Sequence, residues 1–218
     1  MGTITRSLAN NITTSGVILP AGITNASVSA VTSFANASGG TLILLSTQTA
    51  SDSASISFTT GLDSTYDAYE FHFIDIHTRG TTTQFQFQTS TNGGSSYGVV
   101  ATTTFFYAFH TEADGGTTLS YLTGNDLAQS TSYQPISGGM SSPADESLCG
   151  SLTLFNPSST TYVKHFISRT QSVHNTPASI DSNTAGYFNT TSAINAIQFK
   201  YESGNIDGII KLYGVKKS

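Results

Sequence analysis

Short segments in which Phe, Tyr and Ile alternate with Ser, Thr, Gln and Asn recur along most of the chain, as in TTTQFQFQTST (81–91) and INAIQFKYES (194–203). Strict alternation puts apolar side chains on one face and polar ones on the other only when the backbone is extended, so the pattern dictates strands and excludes amphipathic helices. Charge does not compete with it: Asp, Glu, Lys and Arg make up 10% of the residues, against roughly 25% in an ordinary globular domain. Thirteen Phe and ten Tyr, with no Trp, must then supply the core.

With 218 residues the chain has room for one large sandwich plus an attached arm. A single cysteine, Cys149, rules out an intramolecular disulfide, so stability has to come from packing and ladder hydrogen bonds. The net charge of -5, and a stretch from Arg79 to Lys164 with no basic residue between, argue against a nucleic-acid surface. No apolar run approaches the roughly 20 residues of a membrane-spanning helix, and no membrane insertion is expected. The opening MGTITRSLANN lacks the basic-then-apolar order of a secretory signal.

Between Arg6 and Asp52 there is no charged residue, and up to Gly40 the only aromatic is Phe34. Such a segment cannot build a core alone, and residues 1–40 are expected to be an extended docking or assembly arm ordered by partners. From Thr41 onward strand candidates follow one another. The Asn92-Gly93-Gly94-Ser95 turn predicts a hairpin between 81–91 and 97–111. In DAYEFHFIDIHT (67–78) the apolar phase changes by one residue after Phe73, which predicts a bulge or a strand covered on both faces. Later candidates are 148–155, 162–170, 185–190, 194–201 and 209–215, punctuated by Asn156-Pro157-Ser158 and Asp207-Gly208. Residues 41–218 are therefore expected to form an all-β antiparallel sandwich, jelly-roll-like, with a long polar connection over 115–147 that is functional or flexible.

Few residues offer chemistry. His110, Glu112 and Asp114 would share one face if the strand continued through them, and could then ligate a divalent cation or polarise a water; a polar strand end entering the Gly115-Gly116 turn explains them as well. His72 alternates away from Asp75 and His77, leaving a pair too small for a metal, and His165 and His174 flank a strand bearing Arg169. No nucleophile elbow or phosphate-cradling glycine motif occurs, so no catalytic residue, metal or cofactor is expected. The aromatic stretch Tyr97, Phe105, Phe106, Tyr107, Phe109, Tyr121 and Tyr133 runs beside Asn125, Asp126 and Gln129. Aromatic faces stack on sugar rings while amides and carboxylates bond their hydroxyls. Most of these rings are expected in the core, leaving Tyr121, Asn125, Asp126, Gln129 and Tyr133 as candidate glycan contacts.

The segments GGTLILLSTQTASDSASISFTTGLDSTYDAYEFHFIDIH, FQFQTSTNGGSSYG, LFNPSSTTYVKHF and NTTSAINAIQFKYESGNIDGIIKLYGV, from Gly39 onward, resemble a family of short structural proteins of aquatic tailed bacteriophages. The anchors are Asn92-Gly93-Gly94, Asn156-Pro157-Ser158-Ser159 and the closing run from Gly208 to Gly214. The resemblance implies a virion component of the tail-fibre or appendage kind, without a catalytic motif. Three functions remain open from the sequence. One is a fibre or appendage subunit, expected as a homotrimer, that docks on tail, portal, collar or capsid proteins and touches a host surface glycan. The second is a capsid decoration or cement protein. The third is a polysaccharide-degrading enzyme built on His110, Glu112 and Asp114.

Overall fold

Alternation fixes where the strands run, and their pairing shows how they share a core. The computed structural model describes residues 41–80 and 82–216, together with the backbone of 12–13 and 16–17. The chain divides into two units, Met1–Gly39 and Gly40–Ser218. In the first, β1 (Ile12–Thr13) and β2 (Gly16–Val17) pair antiparallel; the rest of the expected arm lies outside the described residues.

The second unit is an antiparallel all-β sandwich. Its strands are β3 (Leu42–Ser53), β4 (Ile56–Phe58), β5 (Ala68–Thr78), β6 (Phe85–Ser90), β7 (Ala101–Thr111), β8 (Thr117–Tyr121), β9 (Gln134–Pro135), β10 (Leu148–Phe155), β11 (Lys164–Val173), β12 (Ala178–Phe188), β13 (Ala196–Tyr201) and β14 (Ile206–Val215). An eight-stranded sheet runs β3-β14-β5-β10-β11-β12-β7-β8, and a four-stranded sheet runs β4-β13-β6-β9. The pairs β3 with β14, β4 with β13, β5 with β10 and β6 with β9 nest inside one another. The chain from β3 to β14 is thus a long two-stranded ribbon folded over itself, its successive rungs falling alternately in the two sheets. The β7–β8 segment lies within that ribbon between β6 and β9, and β11–β12 between β10 and β13; both join the large sheet beyond β10.

Aromatic rings from the two inner faces interlock between the sheets. Phe199 of β13, fully buried, meets Phe71 and Phe73 of β5 at 5.3 Å each, and Phe58, Phe85 and Phe87 of its own sheet. Phe87 reaches Phe166 at 5.0 Å and Phe188 at 5.9 Å. Edge-to-face geometry dominates these pairs, as the ring quadrupole favours.

The phase change in β5 is a bulge. Tyr69, Phe71 and Phe73 face inward, Ile74 and Asp75 do not, and Ile76 and Thr78 resume the inward face. Asp75 has φ +49°, and the ladders to β10 and β14 slip at this level. Gly208 sits opposite with φ +122°, and a Cβ there would lie 2.6 Å from the Asp75 carbonyl oxygen. The extra residue returns His77 to the outer face with His72, whereas simple alternation sets them on opposite faces.

One expectation gives way. The 92–95 turn does not close a hairpin: β6 pairs with β13 and β9, β7 with β12 and β8, so the turn carries the chain from one sheet to the other. Asn92 serves that loop, its Oδ1 accepting from Ser90 Oγ and the Ser96 amide; turn chemistry reverses a chain without choosing its partner. The connection over 115–147 is largely packed. It contains β8, a 3-10 turn (Thr123–Asn125) and β9, and buries Gln134, Ile136, Ser137 and Met140. Residues 122–130 continue along the β7 edge, with Thr103 donating to the Leu127 carbonyl and Ala101 and Ser130 exchanging bonds. Thr131 and Ser132 then lie over the small sheet, where Gln88 Nε2 donates to both carbonyls. That crossing covers Gln88, whose alternation, like that of the buried Gln86, points outward.

Candidate functional site

The five candidate glycan contacts fall on two sides of the sandwich. Tyr121 is opposite the exposed Phe106 in the β7–β8 ladder, so it stands on the outer face of the large sheet, half exposed. Its hydroxyl donates to Asp126 Oδ2 at 2.5 Å, and the carboxylate acceptor raises the tyrosine pKa. Asp126 Oδ1 accepts from the Phe105 amide at 2.7 Å, pinning the turn to β7. Asn125 is buried: its carbonyl accepts from Gln134 and its Oδ1 from Gln84, while Nδ2 has no partner among the described residues. Gln129 bridges Thr102 and Asn189. Tyr133 lies against the small sheet, its hydroxyl donating to Gln198 and its ring under Lys200 Nζ at 4.4 Å; burial raises its pKa. Tyr121 and Asp126 meet, Tyr133 does not join them, and Gln129 and the Asn125 oxygens are engaged within the chain.

β7 ends at Thr111, so alternation does not extend through Glu112 and Asp114. The chain turns instead: Thr111 Oγ1 accepts from the Gly115 and Gly116 amides, Asp114 adopts φ +54°, and His110 Nε2 meets Asp114 Oδ1 at 3.1 Å. His72 pairs with Glu70 at 3.0 Å, and His77 Nδ1 donates to the Glu146 carbonyl at 2.8 Å. The Asp75 amide lies 3.4 Å from the exposed Cys149 Sγ. Among the described residues no group of three or more His, Cys, Asp or Glu is placed to hold a metal ion.

Two other features stand out. On the outer face of the large sheet, Phe155 of β10, Ile167 of β11, Phe106 of β7 and Leu119 and Tyr121 of β8 are all exposed, Ile167 at 57% and Leu119 at 77%. The register sets Ile167 opposite Ala185 and Ala185 opposite Thr104, so these side chains share one face. A shallow groove of about 420 Å³ runs among Phe155, His165, Ile167 and Tyr187. Arg169 forks onto Asp181 beside it, an ion pair that raises the arginine pKa.

On the inner side, where the large sheet outruns the small one, lies a cleft of about 320 Å³. Tyr107 and Phe109 of β7 line it with Ile180 of β12, Gln84 and Gly139 from the small-sheet side, and His174 from the β11–β12 turn. Sequence reasoning named Tyr107 and Phe109 as rings and His174 as a strand-flanking histidine but did not bring them together, because the lining comes from distant segments with no common spacing.

A scan of protein-family models and a search of curated proteins found no match to this chain.

Proposed function

We propose that the chain is a virion structural protein of a tailed bacteriophage, a tail or head fibre or appendage subunit without enzymatic activity. It would dock through residues 1–40 and contact the host surface through its sandwich. We infer that the sandwich is a jelly roll, because nested pairing of β3 with β14, β4 with β13, β5 with β10 and β6 with β9 is what a folded-over ribbon requires. β7–β8 and β11–β12 are then insertions that widen one sheet.

The observation that carries the reading is the outer face of the large sheet. Phe106, Leu119 and Tyr121 on β7–β8, and Phe155 and Ile167 on β10–β11, are exposed there in two apolar groups with Asn183 and the Arg169–Asp181 pair between them, and exposed apolar groups of this kind support an interaction surface. A charge-poor arm and such a surface together favour a homo-oligomer, and a trimer is expected. The low charge, the all-β fold and the resemblance from Gly39 onward point the same way.

Light scattering after size exclusion tests this. The full chain is expected to be a trimer, and Ile167→Glu to give a folded monomer. A monomeric full chain would remove the fibre reading and favour a decoration protein, whose loss leaves particles able to adsorb but less resistant to heat.

A further inference from the structure

We propose that the cleft between the β7–β8 inner face and the edge of the small sheet is a binding site for a neutral sugar residue. Its chemistry is mixed in the way such a ligand requires. Phe109 and Ile180 give it apolar walls, and Phe109 stands edge to face with His174 at 5.5 Å. Four polar groups on its lining have no hydrogen-bond partner among the described residues: the Tyr107 and Thr118 hydroxyls, His174 Nε2 and one amide atom of Gln84.

Their roles follow from what their other atoms do. His174 Nδ1 accepts from the Thr176 amide at 3.1 Å, so the neutral ring carries its proton on Nε2 and offers a donor. Gln84 Nε2 donates to Asn125 Oδ1 at 3.3 Å, which leaves Oε1 as an acceptor; with both amides turned over, the free atom becomes a donor. Asn125 Nδ2, buried and unpaired, adds an unspent donor at the residue that holds Gln84. The Tyr107 hydroxyl donates or accepts.

None of the residues lining the cleft is Asp, Glu, Lys or Arg. An anionic or cationic ligand would lose its hydration without a counter-charge, which disfavours sialic acids, phosphates and amines. A neutral ring with one apolar face and several hydroxyls meets both kinds of wall, and a cavity of about 320 Å³ suits one residue of a chain more than an extended oligosaccharide. The site stands on its own geometry and rests on the appendage reading only for the source of the sugar, a host surface glycan.

The test is saturation-transfer and titration NMR on the full chain with free glucose, galactose, mannose and N-acetylglucosamine, with N-acetylneuraminic acid and inorganic phosphate as charged probes. At least one neutral sugar is expected to bind in the millimolar range, the ordinary strength for a ligand of this size, and neither charged probe to do so. Tyr107→Phe removes no bond within the chain, so its melting temperature should match the wild type while sugar affinity falls about five-fold, the worth of one neutral hydrogen bond. Phe109→Ala should abolish binding. Absence of binding by every neutral sugar, or undiminished binding in both variants, overturns the assignment. The oligomer measurement judges the appendage reading separately, so either idea can fail alone.

Discussion

Replacing Phe199 by alanine tests the sandwich at its centre. The side chain is fully buried, and its ring contacts Phe71 and Phe73 across the interface as well as Phe58, Phe85 and Phe87. Truncating a buried Phe costs about 3–5 kcal/mol, from lost transfer energy and the cavity left behind. The surrounding strands are tied by ladders on both sides of β13 and cannot collapse into the gap. Ring pairs contribute about 0.5–1.5 kcal/mol each beyond their area, though not additively, so the upper end is expected, about 5 kcal/mol. Against a total of about 5–15 kcal/mol that is a third or more of the stability. In a sandwich of this length it lowers the melting temperature by about 10–20 °C. Urea titration followed by tyrosine fluorescence and far-ultraviolet dichroism measures it, there being no Trp to report. Leu44→Ala, exposed on the β3 edge strand away from the apolar groups of β7–β8 and β10–β11, is the control and should stay within about 0.5 kcal/mol. A loss below about 2 kcal/mol for Phe199→Ala would mean that the two sheets do not meet through this ring.

Three further outcomes are expected. Lys164 is buried, with Nζ donating to the Thr190 carbonyl at 3.1 Å, and desolvation pulls its pKa below the usual lysine range. The unfolded chain then holds more protons between the folded pKa and the ordinary value of about 10.4, so stability from this group rises with pH across that window; Lys164→Met should flatten the rise in urea midpoint. Hydrogen bonds from Thr65, and then from the Tyr69 hydroxyl, hold the Asp63 carboxyl below its usual pKa. Its contribution is present above about pH 4 and lost as pH falls through the depressed value, so Asp63→Asn should reduce the acid sensitivity of the melting temperature. A Cβ at Gly214 would stand within 2.4 Å of the Tyr66 ring, so Gly214→Ala should cost about 1–3 kcal/mol alone and much less in a Tyr66→Ala background, read as a double-mutant cycle.

The sequence carried those parts of the fold whose cause is local. The bounds of β10 match the expected 148–155, and Phe71, Phe73, Phe85, Phe87 and Phe199 occupy the core that their alternation predicts. β12 was legible only at its end, because its inward residues include Ser182 and Thr184, so no apolar phase marks the first half. Their hydroxyls are buried without a partner among the described residues, a cost that only the assembled sheet reveals. Gln88 reads as exposed because nothing nearby announces that Thr131 and Ser132 cross it. The five candidate contacts are not brought together for the same reason. Tyr121 and Tyr133 are close in sequence yet fall on opposite faces, whereas Tyr107, Gln84 and His174 converge through pairing that no spacing encodes.

The position of the cleft follows from the topology. A ribbon folded over itself supplies each sheet with the same number of strands, here β3, β14, β5 and β10 against β4, β13, β6 and β9. Both insertions join the large sheet alone, pairing outward in succession from β10. The widened sheet therefore has inner surface that its partner sheet does not cover. Residues 122–130 seal part of it along β7. What remains is bounded by Tyr107 and Phe109 on one side and by the small-sheet segments carrying Gln84 and Gly139 on the other. Its half-buried rings and unpaired polar groups are those that neither sheet consumes, so a ligand can use them without disturbing the ribbon that holds the sandwich together.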